Sequence, residues 1–155
     1  MTAQLEISDA EWEVMRVVWT LGSASSRTMI QVLDEKMGWK PATVKTLLGR
    51  LVKKGFLKTA KQQRAFIYSA TITEQDAMDH SSLSLFDHLC DMHKGRTLSY
   101  LVDHTTLSQA DIAHLQTQLA EKAKTAPEEV ACNCLPGDQR CLMEEGDANG
   151  KAEHE

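Results

Sequence analysis

A chain of 155 residues with a net charge of −5 and 25% charged residues has room for one domain or two small ones. No apolar run approaches the roughly 20 residues of a membrane span, and the opening MTAQLEISDAEWEV lacks the basic-then-apolar pattern of a secretion signal. The expectation is a cytoplasmic protein with no membrane partner, in which four cysteines point to metal or redox chemistry rather than structural disulfides.

The charge is unevenly placed. Residues 1–72 hold 11 Lys and Arg against 6 Asp and Glu, and residues 73–155 hold 6 against 16. From Lys36 to Thr73 there is no carboxylate against nine basic residues, the electrostatic footprint of a nucleic-acid surface.

In chain order, Ser8-Asp9-Ala10-Glu11 is a capping-box pattern that predicts a helix with Trp12, Met15, Val18 and Trp19 inward, ended by Gly22-Ser23-Ala24. Ser25 or Ser26 caps a second helix to about Met37, with Ile30, Leu33 and Met37 inward and Gly38 closing it. Pro41 to Gly55, PATVKTLLGRLVKKG, is the third. Its Val44, Leu47, Leu48, Leu51 and Val52 make one apolar stripe. Pro41 suits the first turn and Gly55 the left-handed C′ position. Thr43, Thr46, Arg50 and Lys53 occupy another face, with hydroxyls and cations and no carboxylate. Three helices joined by short links predict a helix-turn-helix unit whose third helix enters a DNA major groove.

After Gly55 the apolar period becomes two. Phe56–Thr59 and Ala65–Tyr68 read as strands around a longer basic tip, residues 60–64. A basic hairpin beside a reading helix is a wing, and Lys61 and Arg64 are placed to reach phosphate or a minor groove. Thr73 with Asp76 starts a long helix to roughly Met92, with Met78, Leu85, Phe86, Leu89 and Cys90 as its approximate stripe, broken by Gly95. A short helix carries Leu98, Leu101 and Val102. A last one, capped at Ser108 with a Leu107–Ile112 staple, carries Ile112, Leu115, Leu119 and Ala123. Three modest helices cannot make a large core alone, so a second copy is expected to cover them; a two-fold dimer also sets two reading helices about one DNA turn apart.

From Ala126 the composition predicts disorder unless something ties the chain down. Cys132 and Cys134, one residue apart, can chelate one ion, and a Leu-Pro-Gly-Asp turn at residues 135–138 would carry Cys141 back to them. Met143 repeats the spacing with a thioether. Thiolates and thioethers select Cu(I), whereas zinc prefers four Cys, His or carboxylate ligands. Oxidation to a disulfide is a further reading of the same cysteines. Cys90 reads as a buried structural thiol beside solvated histidines, with a second metal site among Asp87, His88, Cys90, Asp91 and His93 as the alternative. No Gly-rich phosphate loop, nucleophile–base signature or paired carboxylates suggest an enzyme.

The chain is therefore expected to be mainly α: a winged helix-turn-helix DNA-binding domain at 1–72, a helical dimerisation domain at 73–125, and a flexible metal-binding tail at 126–155.

DAEWEVMRVVW, KPATVKTLLGRLVKKGFL and RAFIYSA together resemble the penicillinase-repressor family, the BlaI/MecI/CopY group of dimeric winged-helix repressors, from about Ile7 through Ala123. The cysteine tail is similar to its copper-responsive CopY-type branch, whose pattern is Cys-x-Cys, four residues, Cys-x-Cys. Here the linker has six residues, and Met143 stands where the fourth cysteine would. The resemblance implies a repressor of a copper-homeostasis operon. It would hold an inverted-repeat operator as a zinc-loaded homodimer and release it when Cu(I) displaces zinc, with a copper chaperone as a candidate partner. It assigns DNA contacts to Thr43, Lys45, Thr46, Arg50 and Arg64, and metal ligation to Cys132, Cys134 and Cys141. The β-lactam branch is inactivated by cleavage at an Asn-Phe pair; Leu98-Ser99-Tyr100-Leu101 offers none. The competing expectations are a same-fold repressor answering another thiophilic metal, oxidation or β-lactam signalling, and a metal buffer that does not bind DNA.

Overall fold

Ser8 opens the first helix as its sequence predicts. In the computed structural model, which describes residues 6–136, α1 (Asp9–Leu21) begins with a complete capping box. The Glu11 N–H donates to the Ser8 hydroxyl at 3.3 Å, and the Ser8 N–H donates to the Glu11 carboxylate at 3.1 Å. The chain forms two compact units, Met1–Leu85 and Phe86–Glu155.

In the first unit, the link after α1 is not a plain break. Ser23–Ser25 forms a short strand, β1, and Ser25 also caps α2 (Ser26–Met37) by accepting the Thr28 N–H at 3.2 Å. Met29 and Leu33 are the buried residues of α2. Met37, expected inward, is the last helical residue and is exposed, and Ile30 is only partly buried. Gly38 is left-handed, and the chain enters α3 (Pro41–Lys54) with Pro41 in the first turn. Val44, Leu47, Leu48 and Leu51 are buried as the spacing requires, while Val52 lies at the stripe's margin and is exposed. Gly55, at φ 85°, ends α3 in the left-handed conformation.

Strands β2 (Leu57–Gln62) and β3 (Ala65–Ala70) pair from Leu57↔Ala70 to Gln62↔Ala65. The strands are longer, and the tip tighter, than predicted. Six ladder pairs form although the Asn-Gly turn signal is missing, and Gln63 takes the left-handed φ of 55° that a two-residue turn demands. β1 pairs antiparallel with β3, Ala24 opposite Tyr68, giving the sheet order β1-β3-β2. Three helices with this sheet make a winged helix. Its core is Val14, Met15, Val18, Met29, Leu33 and the α3 stripe, closed by Phe56 and Leu57. Trp19 donates from Nε1 to the Ile72 carbonyl at 2.9 Å, tying α1 to the chain after β3. One charged group enters this core: Glu11, 2% exposed, meets Lys54 Nζ at 2.7 Å.

Thr73 caps α4 (Glu74–Asp87), accepting the Asp76 N–H at 3.1 Å. The helix does not continue to Met92. It stops at Asp87, and a single 3-10 turn (Asp91–His93) leads into α5 (Lys94–His104). The Asp91 N–H, which a continuing helix would give to the Asp87 carbonyl, donates instead to Asn133 Oδ1 at 2.9 Å. Gly95 is not a breaker. It lies in the first turn of α5, where backbone N–H groups lack intrahelical partners in any case. The expected α4 stripe is not buried: Ala77 is the one buried residue of α4, and Met78 and Leu85 are exposed.

In the second unit, α6 (Gln109–Ala123) starts at a capping box between Ser108 and Asp111. The Ser108 hydroxyl and N–H both donate to the Asp111 carboxylate, which holds its pKa below the usual carboxylate value. Leu107 is half-buried, but Ile112, its expected staple partner, is exposed. No residue of α5 or α6 is buried, and Leu98, Leu101, Val102, Ile112 and Leu119 are all exposed. Residues 126–136 form neither helix nor strand. Among the described residues, no helix is long and apolar enough to cross a membrane.

Candidate nucleic-acid interface and thiol cluster

The helix α3 buries one side in the core and presents the other. Thr43, Lys45, Thr46, Arg50 and Lys53 are all exposed. Ala42, Thr43, Thr46, Leu47 and Arg50 line one shallow groove along the helix, so Thr43, Thr46 and Arg50 are brought together. Lys45 stands apart. At 3.6 residues per turn it lies about 160° around the helix from Thr43, on the far flank of the exposed face. The Thr46 hydroxyl donates to the Ala42 carbonyl at 2.9 Å. Its proton is thus committed within the helix, and its lone pairs and methyl group remain for an outside contact.

Two cations of the basic block serve the fold instead. Lys54 Nζ donates to both Glu11 carboxylate oxygens, at 3.0 and 2.7 Å, and to the Glu6 carbonyl at 3.0 Å. Lys36 pairs with Glu13, whose carboxyl is held below its usual pKa by that hydrogen bond first and by Arg16 in addition. Lys58, Lys61 and Arg64 are exposed on the β2–β3 ribbon, with Arg64 in the two-residue turn itself. A tight ribbon holds Arg64 more rigidly than the five-residue tip expected from sequence.

The tail cysteines are not alone. Cys132 and Cys134 lie with Cys90, all three ligand atoms within 4.8 Å of one another. Cys90 and Cys132 are half-buried and Cys134 is exposed. Cys90 Sγ contacts Cys132 Sγ at 3.6 Å, and the Cys134 N–H donates to Cys132 Sγ at 3.4 Å. Between the two tail cysteines, Asn133 accepts the Asp91 N–H. Cys90 is therefore not the buried core thiol expected from its helical spacing, because α4 ends three residues before it. Among the described residues, the ligand-type side chains that come together are those of Cys90, Cys132 and Cys134, not the Asp87, His88, Asp91 and His93 of the alternative. Cys141 and Met143 lie outside the described residues. Sequence reasoning missed the pairing because Cys90 and Cys132 are 42 residues apart. The available signal was only that Cys90 is the one cysteine outside the tail.

The sequence pattern of the family described as penicillinase repressor matches residues 7–121. An uncharacterised 16.5 kDa protein in the ptsI 3′ region of Latilactobacillus sakei is 57% identical over 140 residues, covering 90% of this chain and 96% of its own. The penicillinase repressor of Bacillus licheniformis is 33% identical over 124 residues, covering 80% of this chain and 96% of its own. Among solved structures, the Bacillus licheniformis BlaI monomeric form in complex with the blaP half-operator is 42% identical. It covers 49% of this chain and 93% of its own, with a TM-score of 0.44.

Proposed function

The chain belongs to the penicillinase repressor family and is a DNA-binding transcriptional repressor rather than an enzyme; from that premise we propose that its regulated target is a copper-homeostasis operon. It binds an inverted-repeat operator as a homodimer, with zinc on the tail, and lets go when Cu(I) takes over the tail thiolates. The observation that carries this reading is the approach of the Cys132 and Cys134 sulfurs within the thiol cluster, in chain that is otherwise without regular structure. Thiols gathered at half-buried and exposed positions offer soft, deprotonatable donors for which Cu(I) and Zn(II) compete. Cu(I) is satisfied by two or three thiolates, with Cys141 and Met143 as further donors, while zinc asks for a fourth ligand. The donor set therefore fits copper without additions and fits zinc with one.

The dimer is supported by α5 and α6, which bury nothing within one chain and expose a run of leucine, isoleucine and valine. The DNA face is supported by the groove of Thr43, Thr46 and Arg50, with Lys53 exposed on the same helix and Arg64 exposed in the turn of the wing. Thr43 and Lys53 supply a hydroxyl and an ammonium for phosphate, and Arg50 has the reach and fork geometry for a base edge. Arg50→Ala is expected to weaken binding to an operator duplex selected from a random library by about 1–3 kcal/mol. Fluorescence anisotropy at fixed salt measures it. An unchanged affinity would reduce Arg50 to a solvated helix residue.

The regulatory reading is tested on the preformed operator complex by adding Cu(I), Cd(II) or peroxide separately. Release by Cu(I) at stoichiometric amounts, lost in the Cys132→Ser/Cys134→Ser/Cys141→Ser variant, supports it. Release by peroxide alone points to thiol oxidation, which the 3.6 Å Cys90–Cys132 contact would favour.

A further inference from the structure

The ligand set assigned to the tail does not use Cys90, yet the Cys90 sulfur lies 3.6 Å from that of Cys132. We propose that Cys90, Cys132 and Cys134 form one three-thiolate site for a soft metal ion, Cu(I), with Cys90 as the ligand that fastens the tail to the chain between α4 and α5. The proposal deepens the copper reading of the tail and rests on it.

Geometry supports the set. Metal–thiolate bonds of about 2.3 Å put two sulfurs of one site about 3.8–4.0 Å apart, in tetrahedral or trigonal arrangement respectively. The three ligand atoms here lie within 4.8 Å of one another, with Cys90 and Cys132 at 3.6 Å. Small side-chain rotations bring all three to one ion. The backbone is already arranged for it. Asn133, between the two tail cysteines, accepts the Asp91 N–H at 2.9 Å, which fixes the tail beside the residue that follows Cys90. The Cys134 N–H donates to Cys132 Sγ at 3.4 Å, which holds the two tail cysteines in one tight turn of chain. The half-buried positions of Cys90 and Cys132 shield two of the donors from bulk water, while exposed Cys134 leaves a route of entry.

The binding step balances simply. One Cu(I) replaces three S–H protons, which pass to solvent, three Cu–S bonds form, and no electron is transferred. The site then carries a net charge of −2. Its structural consequence follows from chain order. A metal joining Cys90 to Cys132 and Cys134 closes a loop that contains all of α5 and α6, the helices whose apolar residues await a second copy. Cys90 thereby links occupancy of the tail to the frame of the proposed dimerisation helices, a connection that Cys132, Cys134 and Cys141 alone do not make.

The test uses the full-length, wild-type protein under anaerobic conditions. Cu(I), supplied as its acetonitrile complex, is added to one equivalent. Each cysteine's alkylation by N-ethylmaleimide is then followed by mass spectrometry, with operator binding measured in parallel. The expected result is that Cys90 is protected together with Cys132 and Cys134. Cys90→Ser should lower Cu(I) affinity against a competing chelator by at least about 10-fold, the smallest loss typical when even an outer partner of a metal ligand is removed. Cys90 alkylated at its metal-free rate, while Cys132 and Cys134 are protected, overturns the role of Cys90 and leaves the tail reading intact. Protection of all three without release of DNA supports the site and overturns the regulatory reading instead. Protection of Cys90 that needs no metal and vanishes with reductant is a disulfide and overturns the proposal. No protection anywhere overturns both.

Discussion

Replacing Leu51 with alanine is expected to lower the unfolding free energy of the winged-helix unit by about 2–5 kcal/mol. Leu51 is fully buried in the stripe that α3 shares with Val44 and Leu48, against the core residues of α1 and α2. Its carbonyl also accepts the Phe56 N–H at 3.0 Å, so the turn out of α3 begins on this residue. Removing three side-chain carbons leaves a cavity at the joint between the helix and the wing, where neither side can easily collapse into it. Against a typical total of about 5–15 kcal/mol, such a loss leaves a marginal domain. Urea denaturation followed by tryptophan fluorescence measures it, with Trp12 and Trp19 on α1 and Trp39 before α3 as reporters. A loss below about 1 kcal/mol would mean that the site closes over, contrary to the packing described here.

Lys54→Met is expected to cost about 2–4 kcal/mol. That is just under the roughly 3–5 kcal/mol for stripping a partner from a fully enclosed ion pair, because the Lys54 side chain is 39% exposed. Glu11 is the reason for the size. Its carboxylate is 2% exposed, and without Lys54 it keeps only the Ser8 N–H among the donors described. The loss is therefore a desolvated charge left uncompensated rather than a missing surface contact. Adding Glu11→Gln to Lys54→Met removes that charge and should restore at least half of the loss. A double variant no better than Lys54→Met would place the effect in the Lys54 methylenes instead. Lys54 lies in the same basic block as Arg50 and Lys53, so the comparison also separates cations that hold the fold from those that face DNA. By this account Lys54→Met acts mainly through stability and Arg50→Ala mainly through affinity.

The legible parts of this fold are those whose cause is local. The Ser8 and Ser108 capping boxes, Pro41 in the first turn of α3 and left-handed Gly38 and Gly55 each depend on a few consecutive residues. So does the α3 stripe, except at its margin, Val52. What escaped the sequence depends on partners far along the chain. Strand β1 exists because Ser23–Ser25 meets Ile67–Ser69, and nothing in Ser-Ala-Ser announces a strand. The end of α4 reflects Asp91 bonding to Asn133, 42 residues on. Periodicity alone carried the helix through this point and carried Cys90 onto a core-facing stripe. Lys54 reads as one more cation of a DNA surface until Glu11, 43 residues earlier, is found beneath it. Of the candidate site, residue types and spacing gave the Thr43, Thr46 and Arg50 row and the Cys132–Cys134 pair. The same spacing sets Lys45 apart from that row, but nothing in it could give the arrival of Cys90.

The central claim is that a soft metal on the tail thiols controls the DNA-binding helix. It is tested most directly by titrating Cu(I) into the preformed complex of full-length protein and operator duplex, following DNA release by anisotropy and metal uptake together. The account predicts that release tracks the filling of the thiol site, and that the Cys132→Ser/Cys134→Ser/Cys141→Ser variant binds the operator but keeps hold of it when Cu(I) is added. A complex that survives saturation of the wild-type thiols with Cu(I), or a triple variant that still releases DNA at the same metal level, would contradict it.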